Sequence, residues 1–362
     1  MEETYETKLL PPDEAGIALA ASLLQAGELV GIPTETVYGL AADALNPKAA
    51  EKIYAAKGRP SDNPLIVHIA ELSMLEPLTA YRPKLAYTLA EAFWPGPLTM
   101  IFKKAEQVPD ATTGGMDTVA VRMPSHPVAA RLIRESGLPL AAPSANLSGL
   151  PSPTRAEHVY QDMKGRIPLI LDGGECTVGV ESTVISVGED SVRLLRPGGI
   201  TVEMLSGYCR VEVDDGVLHK LAEGQKALSP GMKYKHYSPK ANVIILDGDA
   251  GAFASYVNAH SGEGVWAMTF EGEEGVLSVP TLPFGRRGDG LSQARALFDR
   301  LRECDEKGAA TVYVPMPEKD VLVSFRFRDL ETEKAAETRT GQEQESQEPE
   351  TSESETQPQT EK

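Results

Sequence analysis

The chain has 362 residues, 41% hydrophobic and 24% charged, a globular composition long enough for two domains and too apolar for a disordered polymer. Its formal charge is -18; residues 331–362 hold ten Glu against Lys334, Arg339 and Lys362, so about -11 remains on the folded part, which disfavours nonspecific nucleic-acid binding. No apolar run nears the roughly 20 residues of a membrane span, the acidic start is unlike a secretory signal, and Cys176, Cys209 and Cys304 are too scattered for a disulfide framework or a structural zinc site.

A cytoplasmic protein is therefore expected. In chain order, strands are predicted over Leu29–Thr34, Pro64–Ala70, Leu98–Lys103, Thr118–Met123, Leu138–Ala142, Pro168–Asp172, Glu181–Val187 and Val192–Arg196. Helices lie between them. Asn46 caps one that has Pro47 at its first position and Ala49, Ala50, Ile53 and Tyr54 at helical spacing up to Lys57-Gly58. Another spans His126 to Ser136, with Val128, Leu132 and Ile133 on one face, and stops at Gly137. Alternation of this kind predicts an α/β fold. Several strands follow one another without a crossover helix, so the sheet is expected to be mixed.

Residues 1–210 form this first unit, and 211–241, rich in Gly, Pro, Lys and Tyr, read as a linker. A smaller, Rossmann-like α/β unit follows over 242–330, built from Asn242–Asp247, Ala250–Ala259, Val265–Phe270, Ser292–Lys307 and Thr311–Pro315. Residues 331–362 are acidic and polar and are expected to be disordered.

The chemistry-bearing residues cluster at the ends of apolar runs. Lys57 and Arg59 flank a glycine at a helix C-terminus, where cations also complement the helix dipole. Set in a loop stiffened by Pro60 and Pro64, a point-charge lysine beside a forked arginine suits a triphosphate. As loop cations both are expected to be exposed and to matter little for stability. Ser144 and Asn146 leave a buried strand where ligands of open α/β sheets sit, although an isolated S-x-N is more simply a self-bonded turn. Arg122 ends an alternating strand, and an inward cation there needs an anionic partner, which a substrate carboxylate would supply. His68 lies inside an apolar run and taken alone reads as a core histidine. Ser182 and Arg196 sit at further strand ends. Tyr234, His236 and Tyr237 in the linker read equally as a lid over a nucleotide base or as a solvated segment.

The motifs Gly31-Ile-Pro-Thr-Glu-Thr-Val-Tyr-Gly-Leu, Lys57-Gly-Arg-Pro, Trp94-Pro-Gly-Pro-Leu-Thr, Val119-Ala-Val-Arg-Met-Pro, Ala142-Pro-Ser-Ala-Asn and Leu195-Arg-Pro-Gly occur in the order that resembles the threonylcarbamoyl-AMP synthase family. With Ser229-Pro-Gly-Met-Lys-Tyr-Lys-His-Tyr the resemblance extends over roughly residues 8 to 315, to its two-domain form. It implies a YrdC-like catalytic domain with a twisted mixed sheet, plus the small C-terminal domain. It also implies condensation of L-threonine, bicarbonate or carbon dioxide, and ATP, with Mg2+, to threonylcarbamoyl-adenylate and pyrophosphate. The product would pass to a tRNA threonylcarbamoyl transferase. By position, Thr36, His68, Arg122, Ala142 and Ser182 would hold threonine. Arg59, Asn63, Thr118, Ser144, Ser152, Arg196 and Tyr234 would hold ATP, with Lys57 and Asn146 added from the family's K-x-R and S-x-N signatures.

On this reading Lys57 and Arg59 are the catalytic cations, neutralising charge on the phosphates, and His68 is a candidate acceptor for the amine's proton. Members with the extension usually end in a Gly-rich segment containing an Asn-Arg-Leu-like stretch, whereas here Glu318 to Leu330 runs straight into the acidic tail. Two other readings stand beside the synthase. One is a noncatalytic RNA-binding module of the same fold, disfavoured by net acidity. The other is a carbamoyltransferase of the hydrogenase-maturation type, disfavoured by the lack of zinc-finger cysteines and of an acylphosphatase-like N-terminal region.

Overall fold

The strand signals resolve into two sheets in a computed structural model that describes residues 5–218, 239–318 and 331–334. The first holds β1 (Lys8–Leu10), β2 (Val30–Ile32), β3 (Gly39–Asp43), β4 (Ile66–His68), β5 (Thr79–Tyr81) and β6 (Leu98–Lys104). It continues with β7 (Thr118–Arg122), β8 (Leu140–Ala141), β9 (Leu169–Leu171), β10 (Thr183–Val187), β11 (Ser191–Arg196) and β12 (Arg210–Val213). Their order is β1-β9-β2-β3-β8-β4-β7-β6-β10-β11-β12, with β5 paired to β6. Neighbours are parallel in pairs such as β4–β7 and β6–β10 and antiparallel in pairs such as β6–β7 and β3–β8, so the sheet is mixed as expected.

All eight expected strands of this unit are present. Missing from the sequence reading was β3, whose residues Gly39 to Ala42 are buried throughout and so show no polar alternation. Short β1, β5 and β12 were also missed; β12 carries the first sheet to Val213, past the boundary expected at residue 210.

The two recognised helices close as their caps dictate. The Asn46 side chain accepts from the N–H groups of Lys48 and Ala49 at one end, and Gly58 takes the left-handed conformation, φ 61°, at the other. Strand alternation then divides the sheet's two faces. Val67, Val119, Val121, Leu98, Met100, Phe102 and Ile185 enter the main core with Ile53 and Tyr54, while Ile66, Ile101, Ala120 and Val184 form a small apolar floor on the other side. His68, Thr99 and Arg122 are two residues away from floor positions and therefore share that second face.

The second sheet has the order β15 (Thr281–Pro283), β14 (Val265–Thr269), β16 (Thr311–Pro315), β13 (Asn242–Asp247) and β17 (Glu331–Lys334), all parallel. This is the Rossmann-like unit expected, with the long helix Gly290–Glu306 packed on it through Leu297, Phe298 and Leu301. One correction concerns β17, which pairs with β13 although it lies in the stretch expected to be disordered. A strand ladder is made by backbone groups, so low apolar content does not exclude it at a sheet edge. The proposed lid residues Tyr234, His236 and Tyr237, and most of the atypical C-terminal stretch, lie outside the described residues.

Tyr38 links the core to the segment after β9. Its ring is fully buried, and its hydroxyl donates to the Gly174 carbonyl at 2.7 Å while accepting from the Gly173 N–H at 3.1 Å. Tyr38→Phe removes both bonds with little change of shape. It is expected to cost about 1–3 kcal/mol, read as a lower urea midpoint at unchanged m-value.

Candidate active site

Strand register builds the site. His68 on β4 is paired with Arg122 on β7, Arg122 with Thr99 on β6, Thr99 with Val184 on β10, and Val184 with Arg196 on β11. Cross-strand partners face the same way, so one row across five strands delivers two arginines, a histidine and a hydroxyl to the same face. Above this row opens a cleft walled by segments that include Thr34–Val37, Lys57–Arg59, Ala142–Gly149 and Glu181–Ser182.

Arg122 is 4% exposed and meets the protein on three sides. Its Nη1 donates to Thr36 Oγ1 at 2.8 Å, its Nε to the Gly96 carbonyl at 3.3 Å, and its Nη2 lies 2.6 Å from Glu35 Oε1. That last contact is a buried ion pair. Burial opposes ionisation of Glu35, and the facing Arg122 charge outweighs it, holding the carboxyl below its ordinary range. The anionic partner that Arg122 requires is therefore Glu35, not only a substrate carboxylate. Thr34 Oγ1 spends its proton on the Val37 carbonyl at 2.6 Å, so Thr36 is the donor in the 2.9 Å contact between the two hydroxyls. A directed chain, Arg122 to Thr36 to Thr34 to Val37, fixes this wall.

Arg196, 6% exposed, forks onto Ser182: Nε and Nη2 reach its carbonyl at 3.0 and 2.8 Å, and Nη2 its hydroxyl at 2.9 Å. Ser182 also meets Thr99 Oγ1 at 2.8 Å. Glu181, the only carboxylate lining the cleft among the described residues, accepts from Ser152 Oγ at 2.7 Å and lies 3.8 Å from Arg196.

Lys57 overturns one expectation. It is not an exposed loop cation but is 3% exposed, and its ammonium donates to the carbonyls of Ser144 and Asn146, the second at 2.7 Å, and to Asn146 Oδ1 at 3.4 Å. Three acceptors match the three N–H bonds of an ammonium. Burial, reinforced by the Arg59 charge, pushes its pKa well below the usual lysine value. Lys57 therefore shapes the Ser144–Asn146 loop. Arg59 is more open; its Nη2 donates to the carbonyls of Asn63 and Pro64 at 3.2 and 3.0 Å.

His68 is buried, and desolvation with the Arg122 charge brings its pKa to about 3. The ring is therefore neutral near pH 7, and its burial weakens it as an acceptor for an amine's proton. The ring instead hydrogen-bonds the Ile66 carbonyl through Nδ1 at 3.2 Å.

Of the expected site residues, Thr36, Lys57, Arg59, His68, Arg122, Ala142, Ser144, Asn146, Ser182 and Arg196 all line the one cleft. Asn63 and Ser152 stand just behind it. Among the described residues neither side-chain amide atom of buried Asn63 has a hydrogen-bond partner, and Ser152 donates to Glu181. Thr118 lies at the far end of β7, roughly 13 Å along the strand from Arg122, and does not line the cleft. Tyr234 lies outside the described residues. Glu35 was missed, although the demand of Arg122 for a counter-ion pointed to it as the sole acid in the first motif. Thr34 and the carboxylate of Glu181 were missed as well.

Comparison with known proteins adds to this geometry. The Sua5/YciO/YrdC family model, described as telomere recombination, matches residues 22–198, and the model of the threonylcarbamoyl-AMP synthase C-terminal domain matches residues 200–326. A threonylcarbamoyl-AMP synthase of Bacillus subtilis is 50% identical over 305 residues, spanning 83% of this chain and 87% of its own length. One from Schizosaccharomyces pombe is 41% identical over 347 residues, 84% and 85% of the two chains. The crystal structure of Pyrococcus abyssi Sua5 complexed with L-threonine superposes with a TM-score of 0.79 at 39% identity, covering 90% of this chain and 99% of that one.

Two outcomes test the burial argued above. Lys57→Met leaves two loop carbonyls without their donor and should lower stability by on the order of 2 kcal/mol in urea unfolding, against the few tenths expected of a surface lysine. For His68, an unfolded chain takes up a proton near pH 6.5 but the folded chain only near 3. Below 6.5 the unfolded state then binds more protons, so stability falls as pH drops. His68→Gln should flatten the loss of unfolding free energy between roughly pH 6.5 and 4.5. An unchanged slope would contradict the burial of the ring.

Proposed function

This chain belongs to the threonylcarbamoyl-AMP synthase family, and on that premise we propose how its cleft divides the work. The activity is that of an adenylate-forming nucleotidyltransferase acting on L-threonine and ATP. In the proposed course, threonine's amine, as the free base, adds to carbon dioxide to give a carbamate with one N–H proton released to solvent, or condenses with bicarbonate to give the same carbamate with loss of water. A carbamate oxygen then attacks the α-phosphorus, and the bond to the β-phosphate's bridging oxygen breaks to release pyrophosphate.

This chemistry joins two anions and expels a third, so its main demands are neutralisation and alignment. The convergence of Lys57, Arg59, Arg122 and Arg196 on one cleft is the observation that carries the proposal. We assign the threonine side to Thr36, His68, Arg122, Ala142 and Ser182. Glu35 supplies the counter-ion of the Arg122 guanidinium, and His68 supplies a fixed neutral wall. We assign the phosphate side to Arg59, Asn63, Ser144, Asn146 and Arg196. Lys57 acts by shaping the loop and by its charge, and Ser152 by orienting Glu181. For Thr118 and Tyr234 the assignment rests on the family resemblance alone.

A divalent metal fits an ATP-using site of this kind, and we propose Mg2+. Mg2+ binds mainly through substrate phosphates and needs only one or two protein carboxylates; Glu181, which accepts from Ser152 and lies beside Arg196, would be that carboxylate. When bound, the ion would neutralise charge on the departing pyrophosphate. The adenylate is then consumed by a tRNA threonylcarbamoyl transferase.

A noncatalytic RNA-binding module is the poorer reading. Lys57, Arg122 and Arg196 are almost wholly buried and bonded to the protein, so they cannot reach along a polynucleotide backbone.

Incubation with ATP, Mg2+, bicarbonate and L-threonine should give a threonine-dependent adenylate by mass spectrometry, and its absence would refute the proposal. Because Arg122→Ala alone strands a buried carboxylate, at about 3–5 kcal/mol, the threonine assignment is tested in Arg122→Met/Glu35→Gln. This pair should raise the threonine KM roughly 10- to 100-fold with a much smaller change in the ATP KM. Equal changes in both would remove Arg122 from the threonine side.

A further inference from the structure

The longest helix of the second unit, Gly290–Glu306, reaches back to the cleft of the first. Arg302 is 7% exposed. Its guanidinium grips Asp162 through Nη2–Oδ2 at 2.7 Å and Nη1–Oδ1 at 3.3 Å, and Nη2 also donates to the Pro151 carbonyl at 2.5 Å. Asp162 Oδ2 in turn accepts from the Leu147 N–H at 3.3 Å. Arg302 thus fastens both ends of the segment 147–151, directly at Pro151 and through Asp162 at Leu147.

That segment belongs to the nucleotide wall. Ser144, Asn146, Ser148 and Gly149 line the cleft. The Asn146 amide nitrogen donates to the Leu147 and Leu150 carbonyls, each at 2.8 Å, closing the loop on itself. Lys57 fastens the loop from inside the first unit, and Arg302 fastens it from outside.

The rest of the interface touches the same cleft. Val37 and Val180, neighbours of Thr36 and Glu181, pack into the second unit's apolar core with Leu297 and Leu301. A side chain at Gly179, where φ is +75°, would come within 2.5 Å of the Arg295 backbone. Asp299 pairs with Arg155 at 2.6 Å and lies 3.4 Å from His158 Nε2, bracing the helix that carries Asp162.

We propose that Arg302 is a positioning residue for ATP: it holds the 144–152 loop in its phosphate-binding shape and cancels the Asp162 charge behind it. The inference rests on the reading of this cleft as the adenylate-forming site. Without the guanidinium, a buried carboxylate would stand behind a wall that must receive a triphosphate, and Leu147 and Pro151 would lose their common anchor. Threonine lies on the other wall, at Arg122 and Thr36, which Arg302 does not touch. The ATP and threonine terms should therefore separate.

The test uses the full-length chain with Arg302→Met, Arg302→Lys and Arg302→Met/Asp162→Asn. L-threonine binding is measured calorimetrically without ATP, and steady-state pyrophosphate release gives the ATP KM. Arg302→Met should raise the ATP KM about tenfold and leave the threonine Kd within twofold. Arg302→Lys, which keeps the charge but not the fork, should fall between it and the wild type. The double variant leaves no buried charge unpaired. It serves as the folded comparison if Arg302→Met does not fold, and it should keep the raised ATP KM through loss of the Pro151 anchor. A wild-type ATP KM in a folded variant that binds threonine normally would overturn the proposal, as would equal losses in both terms, which would mark a merely structural contact. A wild-type protein that makes no threonine-dependent adenylate would instead refute the reading of the cleft.

Discussion

Buried positive charge is the constraint on which this structure depends. A cleft for ATP and an amino acid must hold several cations in one place, yet an ammonium or guanidinium out of water is costly unless acceptors surround it. Each cation here is met by the protein in its own way. Lys57 faces two loop carbonyls and an amide oxygen, Arg196 faces the carbonyl and hydroxyl of Ser182, and Arg122 faces a threonine, a carbonyl and Glu35. The outcome is preorganisation. Donors held in place before substrates arrive need little rearrangement when charge develops on phosphate, the condition under which electrostatic stabilisation is strongest.

The same constraint explains why so many fixed groups come from a mixed sheet. Alternation sends Val67, Val121 and Met100 to the main core and leaves His68, Arg122 and Thr99 on the opposite face, in register across adjacent strands. Strand backbones are stiff, so a row of paired residues is positioned better than the same residues on separate loops. The loops contribute the more adaptable hydroxyls and amides, and they are themselves tied down. Thr34 and Thr36 close one turn, while Asn146 closes another. Glu35 matters here through its charge, since Thr36 and the Gly96 carbonyl already orient the buried Arg122 guanidinium and Glu35 supplies its counter-ion.

Much of this was legible in the sequence. The caps at Asn46 and Gly58, the stop at Gly137 and the alternation in Thr118–Met123 are local rules, and the structure follows them. Arg122, Ser144, Ser182 and Arg196 were readable as site residues because polar groups at the ends of apolar strands are unusual and occurred repeatedly. Partnership was less legible. That Lys57 is buried depends on a loop 87 residues away folding over it, and that Glu35 answers Arg122 depends on β7 lying near the loop after β2. β3 escaped because a strand buried on both faces carries no period-two signal. His68 showed the limit from the other side. Its identity suggested proton transfer, and only its depth beside Arg122 shows why the ring stays neutral.

The interface between the two units follows the same physics. Apolar contacts at Val37 and Val180 hold the units together, but such contacts tolerate small shifts in register. The Arg302–Asp162 fork does not, because both partners are buried and each depends on the other's orientation. A buried ion pair of this kind adds little net stability relative to a well-packed apolar pair. Its contribution lies in fixing one arrangement. A hydrophobic seam would bury similar surface but offer no donor to the Pro151 carbonyl and nothing to orient the Asp162 carboxylate that receives the Leu147 N–H. The polar contacts therefore sit where the first unit's loop needs defined geometry, and the apolar ones sit where only contact is required. In this arrangement the second unit supports the 147–151 segment from outside, and the charged contacts of the interface fall where that loop is held in one geometry.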